Sequence, residues 1–131
     1  MFSDAEKAYF KSQRLARIAA VSATLQPDVA PVGFEFDGDI FFVSGADLKR
    51  TLKFRNVEAG NRKVSLVVDD LETVQPWKPR GIKVHGIAEI VERTGQLGRG
   101  VYLAIKPTRY WSWGIEAPAM ADGKPNIKRG R

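Results

Sequence analysis

The segment VAPVGFEFDGDIFFVSG, Val29 to Gly45, most narrows what this chain can become. Val32, Phe34 and Phe36 alternate with Gly33 and Glu35, the period of a strand with one buried face. Asp37-Gly38 supplies the chemistry of a tight turn, and an apolar run returns, so a hairpin is expected. Similar signals recur along the chain. RIAAVSATL reads as a buried strand, KVSLVVDD as a short β-branched one, and RGIKVHGIAEIVE places Ile82, Val84, Ala88 and Ile90 on one face. GVYLAIKP and RYWSWGI are two further strands, parted by Pro107. Ahead of them Ser3 and Glu6 have capping-box spacing, and an apolar stripe through Ala5, Tyr9, Leu15 and Ile18 predicts a helix ending near Arg17. One helix and about seven antiparallel strands with short connections make a mainly β (α+β) chain. Strands in that number must hide their edges, which points to a small closed barrel with one or two helices. The expected division is a barrel domain over 1–115 and a tail over 116–131, loose or lying on a neighbour.

Composition removes several chemistries. Without cysteine there is no disulfide framework, thiolate nucleophile, zinc ribbon or iron–sulfur site. One histidine, His85, rules out a His-rich metal centre, and Asp69-Asp70 reads as a strand end rather than a metal pair, so no metal is expected. No run approaches the roughly 20 apolar residues of a membrane span, and the N-terminus lacks the apolar core of a signal peptide, so a cytoplasmic location is expected.

The net charge is +6, and one window carries most of it. Lys49 to Lys63 holds six cations against Glu58 alone. Read as extended chain, TLKFRN puts Thr51, Lys53 and Arg55 on one face and Leu52 and Phe54 on the other. A hydroxyl, an ammonium and a guanidinium together suit a phosphate. Downstream, NVEAGN is expected to form a helical turn starting at Asn56, adding backbone donors. The same pattern also suits a solvated strand edge. Nucleic acid fits less well, because no RNP-type or helix-turn-helix pattern accompanies the charge.

Four segments carry a family resemblance: FSDAEKAYFKSQRLARIAAV, PVGFEFDGDIFFVSG, TLKFRNVEAGNRKVSLVVDD, and PWKPRGIKVHGIAEIVE followed by SWGI. In this order they resemble the pyridoxamine-phosphate-oxidase-like split β-barrel proteins, in particular the branch of coenzyme F420 (deazaflavin)-dependent oxidoreductases. The resemblance implies a six-to-seven-stranded antiparallel split barrel, FMN-binding-like, with an N-terminal helix and one short helix. It further implies a homodimer with the coenzyme in a groove between subunits. Lys53 and Arg55, with Thr51 and Asn56, fall at the phosphate-binding positions; Ser44 and Gly45 fall near the ring or ribityl chain. Trp77, Pro79 and Arg80 fall where wall residues belong, and Trp113 at an aromatic reaching in from the partner. TLQPDVAPVGF departs from the family in lacking its usual Gly-x-Pro turn. The family also holds FMN and haem binders, so FMN is the alternative coenzyme and a haem binder a further possibility. A non-enzymatic basic module is the third.

An F420 enzyme needs little acid–base machinery, because the coenzyme supplies the hydride chemistry. The chain accordingly offers no nucleophile–base pair and no catalytic carboxylate pair. Tyr102, Tyr110 and His85 are the conceivable proton donors, though a surface or barrel-lining role is the plainer reading of His85. Trp111 and Trp113 share a face by alternation, as dimer contacts first and ring contacts second.

Overall fold

The computed structural model describes residues 1–131. Helix α1 (Asp4–Ser12) leads into β1 (Leu15–Val21), β2 (Pro27–Phe36) and β3 (Phe41–Val43). A single 3-10 turn (Leu48–Arg50) and α2 (Leu52–Glu58) precede the long strands β4 (Lys63–Thr73), β5 (Lys78–Gly95) and β6 (Gly98–Trp113). The sheet runs β3-β2-β1-β4-β5-β6, every pair antiparallel, and β3 also pairs with β6 and closes it. This is the split β-barrel expected from the sequence.

The barrel interior is filled from alternate positions: Ala16 and Ile18, Phe41 and Val43, Leu66 and Val68, Ile82 and Val84, Leu103 and Ile105. One mouth is covered by α1, whose Phe2 and Phe10 meet Phe36 and Phe41 edge-on or tilted, with ring centroids 4.9–6.1 Å apart. The other is covered by the α2 segment through Leu48, Phe54 and Val57. The Asp37-Gly38 turn forms as expected, with Asp37 Oδ1 accepting from the N–H groups of Asp39 and Ile40. The β1–β2 hairpin closes without the Gly-x-Pro turn: Ser22 Oγ accepts from Gln26 N, and Leu25 takes the positive φ.

Four expectations are corrected. Helix α1 stops at Ser12 rather than near Arg17, because Arg17 is already paired with Val67 in the sheet. TLKFRN is not extended: Thr51 caps α2, accepting from Phe54 N, and the residues that follow are helical. Pro107 does not divide two strands. It lies in one continuous β6, at the bulge opposite Gly86, where a missing N–H is tolerated.

The fourth concerns the C-terminus, which is not loose. Met120–Ala121 (β7) and Lys124–Pro125 (β8) form a small hairpin, and Lys128–Gly130 (β9) adds to the edge of β6 against Tyr110–Ser112. Its anchor is Glu6, wholly buried. Oε1 accepts from Ser3 N, Tyr110 Oη and Lys128 Nζ at 2.8, 2.8 and 3.2 Å, and Oε2 from Ser112 Oγ at 2.7 Å.

Candidate functional site

The residues singled out in the sequence fall mainly into two groups at opposite ends of the barrel. Thr51, Lys53, Arg55 and Asn56 lie on α2 and its cap, while Ser44 and Gly45 follow the end of β3 and face the C-terminal turn of α1. Trp77, Pro79, Arg80 and Trp113 lie at the mouth covered by α1, where β5 begins and β6 ends. Gly81, paired with Trp113, and Ala88, beside α2, are seven residues apart on β5. That is roughly 20 Å at the rise of a strand. One protomer does not bring the two groups together.

Ser44 and Gly45 separate two clefts, neither of which is lined by Thr51, Lys53, Arg55 or Asn56. The larger, of ≈ 840 Å³, lies between the C-terminal turn of α1 and the tip of the β5–β6 hairpin, floored by Phe34, Phe36, Phe42 and Tyr102. The second, of ≈ 590 Å³, runs along Ala46 to Lys49 and Gly98 to Val101. Such volumes suit a small molecule. Leu97 at the hairpin tip borders both, and the tip is held by Glu35, which accepts from Gln96 N and pairs with Arg93 at 3.1 Å. The sequence reading missed this role for the hairpin; the Gly95–Gly98 turn signal was its one trace.

Helical geometry separates the basic residues. Residues two apart on a helix point to different sides, so Lys53 turns inward while Arg55 is exposed. Lys53 is only 8% exposed, yet its ammonium has no hydrogen-bond acceptor or ion pair in the protein. Burial pulls its pKa below the lysine range, and only the charge of Asp28 opposes this. Thr51 Oγ is occupied, donating to Leu48 O and accepting from Phe54 N. Ser44 Oγ donates to Val101 O and fixes the strand end between the clefts.

At the other end, Arg80 is engaged. Its Nε and Nη2 bind the two oxygens of Asp70 at 2.7 and 3.0 Å, and it lies over the Tyr9 ring. Asp70 is held below the usual carboxylate range by Arg80 first and also by the Tyr9 hydroxyl. Trp113 lies over Gly81, where an added Cβ would come within 2.6 Å of its ring. Trp77 is 67% exposed on the β4–β5 turn and lines neither cleft. Two of the conceivable proton donors are committed, Tyr110 donating to Glu6 and Tyr102 to Gly98 O. His85 is exposed on the outer face; burial first, then Lys83 and Arg109, lower its pKa and favour the neutral imidazole.

Several known proteins resemble this chain. A protein of Streptomyces rimosus subsp. rimosus, named 5a,11a-dehydrotetracycline/5a,11a-dehydrooxytetracycline reductase, is 36% identical over 121 residues, covering 88% of this chain and 84% of that protein. In fold, the chain is similar to a conserved hypothetical protein of Mycobacterium tuberculosis, with TM-score 0.69, 24% identity and coverage of 94% and 93% of the two chains. It is also similar to a structure named F420 reductase, with TM-score 0.65, 19% identity and coverage of 83% and 98%. The family model described as pyridoxamine 5'-phosphate oxidase matches residues 2–128, and with the closed barrel and its two covered mouths this establishes that the chain belongs to that family.

Proposed function

We propose that the protein is a homodimeric oxidoreductase that uses coenzyme F420 and passes a hydride between it and a conjugated small-molecule acceptor. The observation that carries this reading is Lys53. Its stem is buried while its ammonium reaches the surface with no acceptor in the protein, which leaves the charge free to meet an anionic ligand. A phosphate held by Lys53, with Arg55 and Asn56 at its edge, would lie outside the two Ser44–Gly45 clefts, whose linings include none of the three. The reductase name of the relative from Streptomyces rimosus, at 36% identity, supports redox chemistry on this barrel. F420, when bound, supplies a two-electron hydride centre, and the protein has only to bind, orient and shield it. Phe34, Phe36, Phe42 and Tyr102 give the larger cleft an apolar floor against which a flat ring would pack and exclude water. The split between the two groups of site residues favours a twofold dimer, in which Trp113 of one copy faces the Lys53 end of the other.

Titration of purified protein with F420, FMN and haem, followed by absorbance and fluorescence, tests the reading. Tight F420 binding is expected, weakened by about 1.5–3 kcal/mol in Lys53→Ala. Tight FMN or haem binding with F420 ignored would replace this reading with a flavin or haem binder. Binding of none of the three would end it.

A further inference from the structure

The outer face of the barrel carries a second charged cluster, distinct from the Lys53 end. Pairing register places Arg17, Val67, Lys83, Trp111 and Arg129 in one row across β1, β4, β5, β6 and β9. His85 and Arg109 follow in the next row. Lys83 Nζ lies 4.2 Å and Arg109 Cζ 4.5 Å from the Trp111 ring centroid, and His85 meets the ring edge-on at 4.7 Å. Cation–π contact holds these groups in place but does not neutralise them. Lys83, Arg109 and Arg129 have no carboxylate partner. The carboxylates that register puts on this face, Asp69 and Glu89, are taken by Arg17 and Arg62. Beside the cluster runs a shallow groove of ≈ 540 Å³, with Ala19, Val21, Ile87 and the β5 bulge at Gly86 as its floor. Gly86 is fixed from the inner side, where a Cβ would strike the core residue Ile105 and the Lys106 backbone at 2.7–2.8 Å.

Two cations on one indole, with Arg129 in the neighbouring register position, repel one another, and an anion relieves this. We infer that this cluster and groove bind a flat conjugated molecule carrying an acidic oxygen, carboxylate or enolate: the flat body lies on the groove floor and the oxygen meets Lys83, Arg109 and Arg129. Its assignment as the hydride acceptor rests on the reductase reading; the binding itself does not. Lys83 and Trp111 lie toward the Trp113 end of the strands, and the groove at Gly86 and Ile87 runs from them toward Ala88 and the α2 end.

Equilibrium dialysis of the unmodified protein, without any coenzyme, against anthraquinone-2-carboxylate and its neutral carboxamide tests this. The carboxylate is expected to bind about three- to tenfold more tightly than the amide, as two or three partly exposed cations would give. Lys83→Gln and Arg109→Gln should each shrink that preference while leaving amide binding unchanged, and added salt should weaken the acid alone. Arg14→Ala, at the larger cleft, should change neither. Equal binding of acid and amide, no binding of either, or loss of the preference in Arg14→Ala in place of the Lys83 and Arg109 variants would overturn the inference. A failed F420 titration would leave these results standing.

Discussion

A single largely buried lysine sets stability against binding in this protein. Lys53 has lost part of its hydration without gaining an acceptor in the protein, and that burial disfavours its charged form. Replacing it by methionine, similar in length and apolar, removes the disfavoured charge. Lys53→Met is expected to raise the stability of the ligand-free protein by roughly 1 kcal/mol, while coenzyme binding falls at least as far as in the alanine variant. Thermal melts with and without F420 check both halves, and a methionine variant that melts lower without ligand contradicts the argument. The pH dependence has a fixed sign. Because the folded-state pKa lies below that of the unfolded chain, the unfolded chain holds more protons between the two values. Lys53 therefore makes wild-type stability rise with pH through that alkaline window, and Lys53→Met should flatten the rise.

At the level of elements, the C-terminal strap depends on one carboxylate. Burial pushes the Glu6 pKa up, but donors from Ser3, Ser112, Tyr110 and Lys128 outweigh it and hold the group below the usual range. Strand β9 adds only three residue pairs to β6, and Gly130 passes so close to the Tyr110 ring that a Cβ would collide with it. Gly130→Ala is thus expected to unseat β9 at neutral pH. In the wild type the stabilisation is full above the unfolded carboxylate pKa and is lost as pH falls through the lowered folded one. Amide exchange of residues 128–130 reads both: fast in Gly130→Ala at neutral pH, and quickening only in acid for the wild type. None of this was legible in the sequence. EAPAMADGKPNIKRGR has no strand pattern, because β9 is defined by where Glu6 and Tyr110 await it rather than by its own periodicity. The barrel strands were legible because one-sided burial writes itself into alternate residues, as in Ile82 and Val84. TLKFRN misled for a related reason: Leu52 and Phe54 alternate like a strand, but the Thr51 cap and the packing of Phe54 and Val57 decide for a helix.

For the whole molecule the central question is whether one chain holds a complete site. Lys53 and Trp113 sit at opposite mouths, and the two regions meet only if a second copy packs antiparallel to the first. The proposed dimer therefore has two composite sites, each with Lys53 from one copy and Trp113 from the other. Lys53→Ala and Trp113→Ala should each be inactive alone, since every site in either homodimer lacks one member. Unfolding and refolding the two variants together yields heterodimers in which one site carries both defects and the other carries neither. With random pairing about half the dimers are mixed, so about a quarter of all sites are intact. F420-dependent reduction of a conjugated acceptor should then recover to about a quarter of the wild-type rate, while separately refolded variants stay inactive. No recovery from a mixture that sedimentation shows to be dimeric would mean that Lys53 and Trp113 do not serve one site, and the coenzyme groove would have to be sought within a single barrel.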